Sequence, residues 1–350
     1  MKSLKQLLTG FLALMFFFVS ASGLWSWQMD RGMLRLVVDE QGHFSLYSTS
    51  DVVDPLYVPL FWAVDPTTTI VTVKLGNQNI VLGKDKTFVP HLQSLANGVQ
   101  ITWVSPQVQV VETWEFVVSQ HSPLADGIKW SFQFAKNALS QEVGLRIILD
   151  TYLGEKKDAF YDPAGKPIDA ETVWKAPPTY LISRSPLRSD LGLLVMLSDP
   201  SSPVPDQTVV ANWQRLDNTS WDYKSEQGRD FNLLPYSYHD SALALWYLPQ
   251  LLLPGSSREI SLVMGSVTAG TFKDAKLGSG SLGALLDTAR SSGSALDDEV
   301  RKALAVVDNL LTQIDDRQKN PKKLSPQDLQ ILQATLDQLE QQRQKLLTAP

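Results

Sequence analysis

The chain has 350 residues, of which 43% are hydrophobic and 19% are charged. This apolar content is enough to bury a large core, so the composition excludes a wholly disordered chain. The chain contains no cysteine, which excludes disulfides, zinc–thiolate sites, iron–sulfur clusters and cysteine catalysis. The formal net charge is −6, whereas a general nucleic-acid-binding protein needs a basic face.

Residues 1–23 have the pattern of a secretory signal peptide. Lys2 and Lys5 form a positively charged start, an apolar run covers residues 11–19, and small residues lead to Ala21. The run is shorter than the roughly 20 residues that span a bilayer, which favours cleavage over the alternative, a retained N-terminal anchor. We therefore expect an exported bacterial protein, periplasmic or secreted, with no membrane span after the signal is removed.

The region that follows is rich in short runs typical of β-strands. Many of these runs alternate apolar and polar residues, which places one face of a strand on a core and the other in water. The predicted strands cover residues 33–38, 43–47, 69–74, 79–82, 99–104, 108–118, 128–134, 144–150, 191–197, 242–247 and 258–264. Turn residues separate them and no useful helical period intervenes, so residues 24–272 are predicted to form a large antiparallel β-sandwich.

A change in composition marks the end of this domain. All ten tryptophans lie between Trp25 and Trp246, and Phe272 is the last aromatic residue. Residues 273–293 are predicted to be a linker rich in glycine and serine. The G-x-G-x-x-G pattern at residues 278–283 fits that linker better than a dinucleotide loop, because no parallel βαβ unit surrounds it.

Residues 294–350 are predicted to form an antiparallel, coiled-coil-like helical hairpin. Apolar residues step by four and three from Val300 to Ile314, and a second leucine seam begins at Leu329. Ser325 and a following proline form a strong helix-start signal for the second helix. One alternative is that the hairpin docks on its own sandwich. It is expected instead to contact another envelope protein through one set of leucines. That set is Leu304, Leu311, Leu332, Leu336 and Leu339.

The densest polar and aromatic stretch of the chain covers residues 212–240. Aromatic rings suit the faces of sugars, while guanidinium and carboxylate groups suit their hydroxyls, so the stretch is a candidate glycan site. The alternative is a long excursion between strands whose aromatic residues close one end of the sandwich. The candidate ligand-binding residues are Trp213, Arg215, Trp221, Asp222, Tyr223, Arg229, Asp230, Tyr236, Tyr238 and Asp240.

Other candidate chemistry is sparse. Arg146 and Asp150 lie on a strongly apolar strand, so each is expected to find a partner, because an isolated buried charge is costly. Asp150 and Asp230 could together serve glycoside hydrolysis if the fold brought them close. The four histidines form no metal-binding pair by spacing, and no metal or cofactor is predicted. We assign no catalytic residue.

Three segments resemble uncharacterised exported β-sandwich proteins of bacteria, spirochaetes especially. They are residues 143–155, 212–216 and 229–237. The overall build is similar to the supersandwich of galactose-mutarotase-like domains. The resemblance implies a fold but brings no activity, because the histidine and glutamate set of those enzymes has no recognisable counterpart here.

Two functional hypotheses follow. The first is a non-enzymatic periplasmic or envelope-associated binding or scaffold protein that uses the helical hairpin for protein contact. The alternative is a carbohydrate-binding or carbohydrate-processing protein with its site in residues 212–240. The two hypotheses differ in where the aromatic residues of that stretch lie. A carbohydrate site needs them in an open groove, whereas a scaffold can have them in the interior.

Overall fold

A computed structural model of the protein describes a large central part of the chain. It covers residues 27–50, 52, 55–62, 65–119, 122, 124–136, 140–151, 153, 160–184, 191–198, 202–267, 272 and 276–277. The predicted signal peptide, most of the linker and the whole helical hairpin lie outside these residues. Within them, no helix is long and apolar enough to cross a membrane.

The described residues are predominantly β-structure. In chain order the strands are β1 (Trp27–Arg31), β2 (Leu34–Val38), β3 (Phe44–Ser48), β4 (Val58–Pro59), β5 (Ile70–Leu75), β6 (Gln78–Val81), β7 (Val89–Leu95), β8 (Gly98–Val104), β9 (Val108–Val118), β10 (Gly127–Lys136), β11 (Gln141–Asp150), β12 (Phe160–Tyr161), β13 (Pro167–Ile168), β14 (Thr172–Trp174), β15 (Tyr180–Arg184), β16 (Gly192–Met196), β17 (Gln207–Asn212), β18 (Ser241–Leu252), β19 (Ser257–Ser266) and β20 (Lys276–Leu277). A 3-10 turn covers Pro66–Thr68, and one short helix, α1, covers Trp213–Asp217.

These strands form three antiparallel sheets within the described part of the chain. The largest has the order β13-β12-β15-β16-β19-β10-β9-β8-β7, with β20 also paired to β9. A six-stranded sheet has the order β14-β17-β18-β11-β5-β6, and a four-stranded sheet joins β1 to β4 in sequence. The prediction of a mainly β, antiparallel architecture is confirmed.

The main core is built from the inward faces of these sheets. Buried and half-buried residues alternate along most of β9, as the period of a strand requires. Its Trp114 stacks on Trp130 of β10, with ring centroids 5.9 Å apart. Phe44 of the four-stranded sheet meets Trp130 edge to face at 4.8 Å. The inward residues of all three sheets therefore form one continuous core.

The outer face of the six-stranded sheet is also largely covered. Ile148, Val209, Ala244 and Trp246 lie on this face and form a second apolar cluster with residues of the chain segment that follows β17. The segment begins with α1, which the sequence analysis did not predict. Its five residues are too few to show a helical period, and the helix is set by its N-cap, Asn212, rather than by an apolar stripe.

The outer face of the large sheet carries a third, smaller apolar cluster. Phe272 is 1% exposed and lies against Gly127 and Gly265, where an added Cβ atom would come within 3 Å of its ring. Glycine at these two positions therefore leaves the space that the ring occupies. Beyond Phe272, Lys276–Leu277 pair with β9. The sheet thus extends past the predicted boundary at residue 272, into residues assigned to the linker.

Candidate functional site

Asn212 anchors the predicted site to the end of β17. Its side chain is buried, and its Oδ1 accepts a hydrogen bond from the backbone N–H of Arg215 at 3.2 Å. Its Nδ2 donates to the carbonyl of Phe231 and to Oγ of Ser237, each at 2.9 Å. One amide therefore caps α1 and holds the loop that precedes β18, so both halves of residues 212–240 share one anchor.

Arg146 supports the same segment from the sheet beneath it. Its guanidinium is almost fully buried on the outer face of β11 and donates to the carbonyl of Thr219 at 2.5 Å and to Oγ1 of Thr72 at 3.2 Å. Burial lowers the pKa of Arg146, and the charge of Asp217 opposes that effect. The expectation that Arg146 has a partner is confirmed. Asp150, at the end of the same strand, is also buried.

The two tryptophans of the predicted site act as anchors. Trp221 is 6% exposed, and its carbonyl accepts a hydrogen bond from Nε1 of Trp246 at 2.7 Å. The ammonium of Lys74 lies 4.9 Å from the centroid of the Trp221 ring. Trp213 is half-buried and donates from Nε1 to the carbonyl of Thr68 at 2.8 Å. The Trp221 ring is therefore too buried to stack on a ligand.

Four charged residues form a network at the centre of the site. The side chain of Glu171 is fully buried, and its Oε1 lies 2.6 Å from Nε of Arg215. Its Oε2 accepts from the backbone N–H of Glu226 at 3.1 Å, and Nε of Arg229 lies 3.8 Å from Oε1. The half-exposed Glu226 carboxylate then meets Arg215 at 2.9 Å and Arg229 at 2.6 Å. The charges of the four groups cancel.

This network shifts the pKa values of two of its members and of the neighbouring Tyr223. Burial would lower the pKa of Arg215, but the hydrogen bonds to Glu171 and the charges of Glu171 and Tyr223 raise it overall. The hydrogen bond from Arg229 holds the pKa of Glu226 below its usual range. Burial raises the pKa of Tyr223 to about 12, and the neighbouring Glu171 carboxylate adds to that rise while Arg215 opposes it. These shifts keep Arg215 positively charged, Glu226 ionised and Tyr223 neutral at neutral pH.

An open cleft of about 460 Å³ lies above the network. It combines cationic donors, carboxylate acceptors, an amide, the hydroxyl of Thr219, the ring of Tyr223 and one apolar side chain. Its lining residues are Arg215, Asn218, Thr219, Asp222, Tyr223, Lys224, Glu226 and Leu233. The arrangement can exchange hydrogen bonds in both directions with a polar ligand, because donors and acceptors line the same space.

A hydrogen-bonded loop follows the cleft and exposes apolar side chains. Leu234, Tyr236 and Tyr238 are 73%, 82% and 65% exposed. Nearby, the Asp230 carboxylate accepts from the backbone N–H and Nδ2 of Asn232 at 3.1 and 2.6 Å. These hydrogen bonds lower the pKa of Asp230. Burial raises the pKa of Asp240, whose carbonyl accepts from the backbone N–H of Trp213.

The structure brings some of the predicted residues together and separates others. Arg215, Asp222 and Tyr223 line the cleft, and Arg229 lies in the charge network beside it. Trp213, Trp221, Asp230, Tyr236, Tyr238 and Asp240 do not line it. The cleft and its charge network also contain six residues that were not predicted from the sequence, namely Glu171, Asn218, Thr219, Lys224, Glu226 and Leu233. Glu171 lies far from Arg215 in the chain and carries no local motif.

The described residues contain no group of three or more histidine, aspartate or glutamate side chains that could hold a metal ion. His43 lies in a turn, with Nδ1 2.8 Å from the Asp39 carboxylate. His91 is exposed on β7, His239 is half-buried beside Tyr238, and His121 lies outside the described residues.

No protein-family model matches this sequence, and no curated protein matches it. Among solved structures, the chain is similar to a galactose mutarotase-related enzyme from Lactobacillus acidophilus, with a TM-score of 0.42 and 10% sequence identity. That match covers 72% of this chain and 99% of that chain.

Two lyase structures also overlap part of the fold. A polysaccharide lyase matches with a TM-score of 0.40 and 11% identity, over 69% of this chain and 33% of that chain. A heparan sulfate lyase from Pedobacter heparinus matches with a TM-score of 0.34 and 11% identity, over 69% of this chain and 34% of that chain. The chain thus spans about a third of the length of each lyase. At this level, similarity does not indicate which residues of this chain act on a ligand.

Proposed function

We propose that this chain is an exported, non-enzymatic protein that binds a carbohydrate in the cleft above Glu171. The observation that carries the proposal is the cleft itself, an open space of about 460 Å³ with cationic, amide, hydroxyl and carboxylate groups on its walls. This volume is in the range of small-molecule sites in proteins.

The chemistry of the walls favours a polyhydroxylated ligand. Each sugar hydroxyl both donates and accepts, so a sugar site needs donors and acceptors together. Here Asn218 supplies both, Lys224 donates, and Asp222 accepts. Beneath them the ion-paired network holds Arg215 in place with little rotamer freedom. A prearranged wall of this kind lowers the entropy that binding must overcome.

The lowered pKa values of Glu226 and Asp230 favour binding over hydrolysis. Glycoside hydrolysis needs a protonated carboxylic acid whose pKa is raised, with a second carboxylate across the sugar. Glu226 is held ionised by Arg229, and Glu171 is buried against Arg215. Asp230, the other half of the hydrolytic pair considered with Asp150, has a lowered pKa as well.

A glycan array probed with the mature full-length chain tests the proposal. We expect selective glycan binding that weakens in the variants Asp222→Ala and Lys224→Ala, because both residues are exposed cleft walls. Lys86→Ala is the matched control, since Lys86 is exposed and lies outside the cleft. Absence of any glycan signal, or equal binding by all variants, would contradict the proposal.

Export is supported by the pattern of residues 1–23. N-terminal sequencing of the native protein should return a chain that begins near Ser22 or Leu24. A native chain that begins at Met1 would show that the signal is not removed.

Contact with an envelope protein through residues 294–350 stays a second proposal, supported by the leucine seams alone. Leu304→Asp or Leu336→Asp should abolish co-purification of a partner while the near-UV circular dichroism of the sandwich is unchanged. Retained co-purification in both variants would contradict this proposal.

A further inference from the structure

Residues 233–238 form a hydrogen-bonded loop that exposes three large apolar or aromatic side chains. Leu234, Tyr236 and Tyr238 are more than half exposed, whereas surface loops normally expose polar side chains. The loop residues carry no charge in the sequence Leu-Leu-Pro-Tyr-Ser-Tyr. An apolar surface of this kind on a fixed loop indicates a contact surface.

Hydrogen bonds at both ends hold this loop in shape. Leu233 and Ser237 exchange backbone hydrogen bonds of 3.0 and 2.9 Å, and the backbone N–H of Tyr236 donates to the carbonyl of Leu233 at 2.7 Å. The amide of Asn212 ties Ser237 to the sheet. The two tyrosines are therefore presented by a backbone that does not need to be ordered by a ligand.

His239, the residue that follows the loop, packs against the ring of Tyr238. His239 has a φ of 50°, in the left-handed region that non-glycine residues rarely adopt. Its backbone N–H donates to Oδ1 of Asn232 at 2.9 Å, which holds it there. The Tyr238 ring stands edge to face against the His239 ring, with centroids 4.2 Å apart. Conformations of this kind concentrate at binding sites.

The loop continues directly from the cleft. Leu233 is a wall of the cleft and pairs with Ser237 as an antiparallel bridge. A hydrogen-bonded antiparallel pair has Cα atoms about 5.5 Å apart, so the Tyr236 and Tyr238 Cα atoms lie within about 9 Å of the Leu233 Cα atom. A ligand that extends out of the cleft past Leu233 can therefore reach these rings.

We propose that the Leu234–Tyr238 loop is a second subsite that binds further units of a neutral oligosaccharide whose first units occupy the cleft. This inference rests on the proposed function. Tyrosine offers a ring for the apolar face of a sugar and a hydroxyl for its edge, at low entropic cost.

Charge and size favour a neutral sugar chain over other occupants. The positive charges of Arg215 and Lys224 are balanced by the negative charges of Asp222 and Glu226, and the loop is uncharged. These groups therefore give no preference for an acidic glycan. Three side chains of roughly 200 Å² each cover less than the ~800 Å² that each partner contributes to a standard protein interface. A protein partner would need more surface than this loop offers.

Calorimetric titration of the mature full-length chain tests the inference. The probes are β-1,4-linked glucose and N-acetylglucosamine oligomers of one to six units, with heparin oligosaccharides as the acidic comparison. We expect affinity to rise with length for a neutral series, and the double variant Tyr236→Ser/Tyr238→Ser to weaken binding of the hexamer by about tenfold or more. Binding of the shortest bound sugar should be unchanged.

Two controls accompany the double variant. Tyr236→Phe/Tyr238→Phe keeps the rings and should retain most of the hexamer affinity. Leu251→Ser changes an equally exposed apolar residue outside the site and should have no effect. Thermal unfolding of each variant checks that these exposed substitutions leave the fold intact.

The outcomes separate this inference from the proposed function. Affinity that is independent of length and of the tyrosines would overturn the loop subsite and leave the cleft proposal standing. Preference for heparin oligosaccharides would overturn the assignment of a neutral chain. Failure of every probe to bind would contradict both proposals. Loss of a co-purifying protein in the double variant, with sugar affinities unchanged, would identify the loop as a protein contact instead.

Discussion

Glu112 is a carboxyl group inside the main core with indole donors as its neighbours. It is 1% exposed, and its oxygens accept hydrogen bonds from Nε1 of Trp103 at 2.7 Å and Nε1 of Trp130 at 2.9 Å. Burial raises its pKa to about 8, although the two indole N–H groups favour the ionised form. Desolvation outweighs two hydrogen bonds here, because no cation contributes to the balance.

The raised pKa of Glu112 predicts that stability falls as pH rises. The folded state holds this proton more tightly than the unfolded state, whose carboxyl has its ordinary pKa of 4.5. The contribution is therefore complete below about pH 4.5 and is lost as pH rises toward 8. We expect Glu112 to lower the free energy of unfolding by roughly 3–4 kcal/mol between about pH 5 and pH 8.

Glu112→Gln isolates this effect. Urea unfolding is measured for the natural chain and the variant across that pH range. The free energy of unfolding of the natural chain should fall by roughly 3–4 kcal/mol more than that of the variant. The absolute stability of the variant can also fall, because an amide NH₂ would face an indole N–H. Parallel pH dependences in the two proteins would show that Glu112 does not titrate in this range.

Glu171 is the residue on which the charge network of the site depends. Its side chain is fully buried against Arg215, whereas Glu226 is half-exposed. Removing one partner of a buried ion pair leaves the other uncompensated, at a cost of about 3–5 kcal/mol in fully buried cases. Because Arg215 is partly exposed, we expect Glu171→Gln to lower the free energy of unfolding by about 2–4 kcal/mol.

Glu226→Gln is the matched control for Glu171→Gln, since it removes the same charge from the water-exposed side of the network. Chemical denaturation should show a much smaller change. Equal losses in the two variants would mean that burial does not set the importance of Glu171.

At the scale of elements, the site is a covering segment rather than part of a strand. The stretch between β17 and β18 lies on the outer face of the six-stranded sheet and is fixed by Asn212, Arg146 and the two tryptophans. The cleft and the exposed loop are both formed by residues of this one segment. Its shape therefore depends on a few polar anchors as well as on apolar packing.

Asn212→Ala tests that dependence. The substitution removes the cap of α1 and the two hydrogen bonds to the loop, so we expect a loss of about 1–3 kcal/mol in the free energy of unfolding. Hydrogen exchange should accelerate in residues 213–217 and 231–237 while β10 remains protected. The exposed Asn218→Ala is the control. Unchanged exchange in both segments would show that the anchor is dispensable.

At the scale of the whole molecule, the described fold ends with Phe272 and β20. Phe272 covers Val117, Ile182 and Val263 on the outer face of the large sheet. We expect a chain that ends at residue 283 to keep the near-UV spectrum and urea midpoint of the full-length protein. A chain that ends at residue 271 should lose about 3–5 kcal/mol, because it lacks a fully buried phenylalanine. Aggregation of the longer fragment would place residues 284–350 within the folding unit.

Strands with a clear period of two could be predicted from the sequence. The prediction for residues 108–118 coincides with β9, because a strand buried on one face alternates along its own length. β7 was missed, since its proline and its mostly exposed residues give no alternation between a core face and a water face. β15 and β17 were missed because each is short and mostly buried, without a clear alternation.

Composition and local pattern by themselves determined the mainly β class, the strand-rich extent of the chain and the stretch that contains all the residues lining the cleft. Arg215, Asp222 and Tyr223 could be found because they are close in sequence. Only the tertiary structure decided that Glu171 forms an ion pair with Arg215, that Trp221 is buried, and that Tyr236 is exposed to water. The reason is physical: these outcomes depend on pairings between segments far apart in the chain, and burial is a property of the assembled sheets.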